Sequence, residues 1–175
     1  MLPGAKCMSQ RDESIRNLRL GLATVDHGGC GVVATYNTLI DLEDSQSFEE
    51  VLRQYNRGWG IRLFFFGLAG IRPNSVKRFF KRAGYRVITT RSYEQINELS
   101  KKADGCILYY RWKSKALIPP YYAHFVSYHR TANGYRGYNG ADCFRQPTDF
   151  LKKEQATGAV GIYVFRQDQL PSAPN

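Results

Sequence analysis

Gly28-Gly29-Cys30-Gly31 runs without a break into Val32-Val33-Ala34-Thr35-Tyr36-Asn37-Thr38-Leu39-Ile40. No other stretch limits the fold so tightly. Apolar residues at Val32, Val33, Tyr36, Leu39 and Ile40 have helical spacing, so this segment is a helix with a buried face, running to about Leu42. The surrounding glycines let the chain turn and let another group approach the backbone closely. Cys30 is thereby placed at or just before the helix N-terminus. Unpaired N–H groups and the positive end of the helix dipole are found there. Both favour thiolate over thiol, and the thiolate is the nucleophilic form. The same N–H groups can donate to an oxyanion. The ordinary alternative is a small buried cysteine with no chemistry, and the context of the histidines has to decide.

The rest of the chain divides into two textures. Residues 1–14 read as a loose arm, and Ile15 to Val25 fits strand or helix equally. Asp41, Glu43 and Asp44 mark a turn. Ser47 with Glu50 forms a capping-box pattern opening a second helix, whose inner face is Phe48, Val51, Leu52 and Tyr55. Ile61 to Gly70 is apolar and glycine-punctuated, a buried loop or short helix. Pro73 opens a third helix with Val76, Phe79, Phe80 and Ala83 facing inward and Gly84 past its end. Tyr85 to Thr90 is strand-like and Tyr93 to Lys101 helical. Then Cys106–Trp112, His124–His129, Tyr135–Asn139 and Ala159–Phe165 read as strands, rich in β-branched and aromatic residues. Asn133-Gly134 is a hairpin signal, and Thr148 to Glu154 a short helix. Helices followed by an antiparallel sheet predict an α+β fold, one domain over residues 1–175.

Composition narrows the function classes. With 175 residues the chain can bury a full core. No apolar run reaches membrane-spanning length, and the first residues lack the apolar stretch of a secretory signal, so the expected location is cytoplasmic. The four cysteines, Cys7, Cys30, Cys106 and Cys143, form no Cys-x-x-Cys pair. His27 and Cys30 have ligand spacing without a second pair, so no metal or other cofactor is expected. The net charge of +10 favours acidic partners. The basic residues are spread out, apart from Lys77, Arg78, Lys81 and Arg82 on the polar side of one helix. No nucleic-acid-binding motif accompanies them, so a nucleic-acid partner is not expected.

Two of the three histidines lie in Tyr121-Tyr122-Ala123-His124-Phe125-Val126-Ser127-Tyr128-His129. Strand side chains alternate, so at most one of His124 and His129 can face Cys30. His124 enters the strand just after Pro119-Pro120, where a side chain reaches a cleft; His129 is placed at the hairpin end, near solvent. His124 is therefore the expected base. The hairpin returns the next strand beside the start of this one, bringing Asn139 to His124. Its amide can accept from the imidazole and hold it, with Asp142 as the alternative orienter.

These residues resemble the papain-like cysteine peptidases, and most closely the compact bacterial branch that processes double-glycine leaders. The resemblance rests on Cys30-Gly31 with Ala34 and Asn37, then His124-Phe125-Val126, then Asn139, and covers roughly Gly21 to Phe165. It implies a helical part packed against a sheet, with the site in the cleft between them. It implies attack by Cys30 on a peptide or amide carbonyl, His124 as base and then acid, and an acyl-enzyme. The implied partner is a peptide or protein substrate, acidic ones being favoured by charge, with no cofactor. Many relatives carry a glutamine a few residues before the cysteine as an oxyanion donor. Here Ala23-Thr24-Val25-Asp26-His27 holds none, leaving Thr24 and His27 as candidates; Gln10 is too far along the chain to match the motif. A missing donor of this kind costs about 10²–10³ in rate. Asn139 stands where many bacterial relatives have aspartate. An acyl- or peptidyl-transferase, a cell-wall amidase and an inactive peptide-binding domain share these features.

Overall fold

The computed structural model of the chain describes residues 7–57, 70–115 and 121–167. Apart from Gly70, the glycine-punctuated stretch from Ile61 lies outside them. A two-stranded hairpin, β1 (Arg19–Leu20) and β2 (Ala23–Thr24), turns through Gly21 at φ 59°. This resolves the ambiguous Ile15 to Val25 stretch into turns and a short ladder. A four-residue turn of helix, α1 (Val25–Gly28), leads into α2 (Cys30–Asp41).

Every residue of α2 from Gly31 to Ile40 is buried, the polar ones included. A helix covered on all sides lies inside the molecule, not on its surface. Fully burying residues such as Val33 or Leu39 contributes about 1.5–3 kcal/mol each. The two threonines are satisfied locally: Thr35 Oγ1 donates to Gly31 O and Thr38 Oγ1 to Ala34 O, both at 2.8 Å. The expected second helix, α3 (Phe48–Asn56), has both halves of its capping box and buries the four predicted residues. In α4 (Pro73–Arg82), Val76, Phe79 and Phe80 are buried as expected. Ala83 is not: the helix has ended, and Gly84 at φ 90° turns the chain away.

The remaining elements are β3 (Arg86–Thr90), α5 (Tyr93–Ser100), β4 (Gly105–Lys113), β5 (Tyr121–Thr131), β6 (Gly134–Gly137), β7 (Cys143–Phe144), α6 (Pro147–Lys153) and β8 (Gly158–Phe165). They build a six-stranded antiparallel sheet in the order β3-β8-β4-β5-β6-β7. The fold is α+β.

One expectation needs correction: the helices do not all lie on one side. Ile107, Phe125, Ile162 and Val164 project into a core shared with α2, α3 and α4. Leu108, Val126, Tyr128 and Tyr163 project the other way, into a second core with Ile96 of α5 and Phe150 and Leu151 of α6. The sign was present in β4, where Cys106, Ile107 and Leu108 are consecutively apolar. A strand with one wet face alternates instead. No described helix is long and apolar enough to cross a membrane.

Candidate active site

The end of α2 meets the sheet at one peptide unit. Backbone N–H groups of Phe125, Gly31 and Cys30 lie near the Cys30 sulfur and favour its thiolate. Phe125 follows His124 in β5, so the thiol lies against the backbone that carries the imidazole. Asn139 holds the same place from the far side. Its backbone carbonyl lies 2.8 Å from His124 Nε2, and its Nδ2 donates to Phe125 O at 3.3 Å. Cys30 and the Asn139 side chain thus both meet the Phe125 backbone, and the Asn139 carbonyl meets the neighbouring His124 ring, which packs edge-on against Tyr110 at 6.1 Å.

Local sequence explains how Asn139 reaches this position. The β5–β6 ladder ends at Tyr128↔Gly137. Beyond it Asn139 and Gly140 adopt φ 60° and 96°, the left-handed region that asparagine and glycine tolerate best. This turn swings the Asn139 carbonyl back toward the ring. A carbonyl can only accept, so Nε2–H donates, and in the neutral ring Nδ1 keeps its lone pair. The ring has one proton-accepting nitrogen and its tautomer is set.

The holding atom differs from the expected one. The Asn139 side-chain oxygen accepts from the Gln10 N–H at 3.0 Å, and the backbone carbonyl meets the imidazole instead. Asp142 is no alternative: its carboxylate is 85 % exposed and pairs with Lys153 at 3.4 Å. Thr24 lies in the β1–β2 ladder opposite Arg19, and His27 is exposed on α1. Among the described residues no hydrogen bond joins either to Cys30 or His124.

Electrostatics also depart from the expectation. Burial pushes the Cys30 thiol up, against the lowering effect of the three N–H groups. Burial pushes His124 down, partly offset by its bond to the Asn139 carbonyl. The helix end does act in the anticipated direction, but desolvation of a thiolate is the larger effect here. Both shifts disfavour the charged forms, thiolate and imidazolium.

His129 is not at the solvent-facing end of the hairpin. Its Nδ1 lies 2.6 Å from Tyr138 Oη and 3.5 Å from Asp41 Oδ1, on the α2 side of the sheet. Tyr138 also bonds the Cys7 thiol. Asp41 is 8 % exposed and its Oδ2 has no partner among the described residues, and desolvation raises it to about 7.

Sequence reasoning missed the arm. Residues 7–12 are pinned along α2 and the Asn139 turn. Asn37, fully buried, accepts from Met8 N at 2.8 Å and donates to Met8 O at 2.9 Å. Gln10 bonds Asn139 through its N–H and donates from Nε2 to Asp26 O at 2.9 Å. A fully buried Asn37 amid apolar neighbours was the available sign that some backbone must reach it. Among the described residues no group of three or more His, Cys, Asp or Glu could hold a metal ion. No protein-family model matches the chain, and no curated protein matches it.

Proposed function

We propose that the chain is a thiol hydrolase of the papain-like kind, cleaving peptide or amide bonds through an acyl-enzyme on Cys30. One observation carries the reading: the Cys30 sulfur lies against the Phe125 N–H while the adjacent His124 is held through Nε2 by the Asn139 carbonyl. That leaves Nδ1 as the ring's acceptor, as a base beside a thiol requires. Because burial disfavours both charged forms, His124 removes the thiol proton as sulfur attacks the carbonyl. It then returns that proton to the leaving amine, and water releases the acyl group by the same base. The N–H groups at the start of α2 supply donors to the developing oxyanion.

The second reading is an inactive peptide-binding domain. It is favoured by the raised Cys30 and lowered His124, which leave no preformed ion pair. One experiment separates the two. The chain is treated with a mixed set of peptidyl vinyl sulfones and the modified cysteine is mapped by mass spectrometry. The hydrolase reading expects adduct on Cys30 ahead of Cys7, Cys106 and Cys143. Turnover of a peptide pool should vanish in Cys30→Ala. Adduct spread by exposure alone, greatest on the exposed Cys143, with no turnover, would leave the binding reading standing.

A further inference from the structure

The site has two sides, and among the described residues one residue outside it is bonded to both. The nucleophile's side is α1 and the start of α2; the base's side is β5 and the Asn139 turn. Gln10 donates from Nε2 to the carbonyl of Asp26, in the α1 turn that sets up Cys30. From its backbone N–H it donates to Asn139 Oδ1. Asn139 in turn holds His124 by its carbonyl and β5 by its Nδ2. Two residues earlier, Met8 is held by N–H and C=O to Asn37, on the same helix as Cys30.

Resting on the hydrolase reading, we propose that Gln10 is a positioning residue that fixes Cys30 and His124 relative to each other. The segment 8–10 acts as a strap between α2 and the Asn139 turn. The geometry has three marks of such a role. Two donors of Gln10, its backbone N–H and Nε2, are used, one toward each side, while its buried Oε1 has no partner among the described residues. Backbone contacts fall at residues 8 and 10, where the chain enters the turn closed by the Asp12 N–H on Ser9 O. The acceptor that Gln10 uses on Asn139 is the amide oxygen, while the backbone carbonyl of the same residue holds His124. Gln10 touches neither sulfur nor imidazole, so its effect must pass through Asp26 and Asn139.

The test is the pH profile of Cys30 alkylation by iodoacetamide, resolved by cysteine with mass spectrometry, on the full chain. In the wild type, His124 assists, so the rate near neutrality exceeds that of an unassisted thiol and falls only as His124 protonates. His124→Ala should remove that acid limb, leaving one rise in or above the ordinary thiol range. Gln10→Ala should do the same, with roughly tenfold loss at neutral pH, the size of a mispositioned base's lost share. A purely structural contribution would lower the melting temperature and leave the shape of the profile unchanged. Gln10→Glu, equal in length but without the donor, is the second variant if Gln10→Ala does not fold, and should lose the limb likewise. Retention of the full limb by the Gln10 variant that folds would overturn the strap and leave the hydrolase reading standing. Absence of the limb in the wild type would overturn both.

Discussion

At the scale of single residues, the two histidines of β5 make opposite predictions. His124 is the proposed base and must be neutral to act. Burial lowers its pKa from the usual 6.5, so a larger fraction stays neutral as pH falls. The acid limb of a pH–kcat/KM profile is therefore expected below 6.5, not at it. His124→Ala should lower kcat/KM by about 10²–10⁴, the usual contribution of a positioned base. His129 is tied to Asp41 and Tyr138 on the α2 side of β5. His129→Ala should leave kcat/KM within a few-fold while reducing stability; equal losses from the two changes would overturn the assignment. That the two rings take opposite faces of β5 was legible from alternation along the strand. The state of Cys30 was not. A helix N-terminus and burial push a thiol in opposite directions, and only the packed structure tells which is larger.

At the scale of elements, the join between α1 and α2 is the tightest constraint on the site. A Cβ on Gly29 would lie 2.5 Å from Val25 O and 2.7 Å from Val25 Cα. These are backbone atoms that no side-chain rotation moves aside. Gly29→Ala is expected to cost about 1–3 kcal/mol, the range for forced overpacking, read as a lower urea midpoint. It should also slow Cys30 labelling, because relief of the clash shifts the start of α2. Secondary structure was largely readable here because local signals agree: the capping box of α3, Pro73 at the start of α4, Asn133-Gly134 between β5 and β6. The second helical layer was not read, because α5 and α6 are short and their sheet-facing residues few. The continuous apolar run in β4 was the stronger sign.

At the scale of the whole molecule, stability should depend on Asp41, which sits near the far end of α2 from Cys30. Its carboxyl rises from 3.8 to about 7 on folding because it is desolvated. Between those values the folded state holds a proton that the unfolded state has released. Stability is then lost as pH rises from about 4 to 7, by at most about 1.4 kcal/mol per pH unit. His129, lowered by burial, acts in the opposite sense and costs stability as pH falls through and below 6.5. The Asp41→Asn chain should therefore match the wild type near pH 4 and melt progressively higher than it by pH 8, a difference thermal denaturation across pH reads directly. The role of Gln10 was the least legible feature, since its bond to Asn139 joins positions 129 apart in sequence. Patterns of period two or 3.6 carry no information at that range. Sheet order has a consequence of the same kind for how the chain is made. β8, the last described strand, lies between β3 and β4 and pairs with both, from Arg86↔Phe165 to Gly105↔Val164. Until those final residues leave the ribosome, β3 has no neighbour and the inner edge of β4 is bare. The growing polypeptide must carry α2 and its cysteine beside an incomplete sheet until β8 enters between β3 and β4.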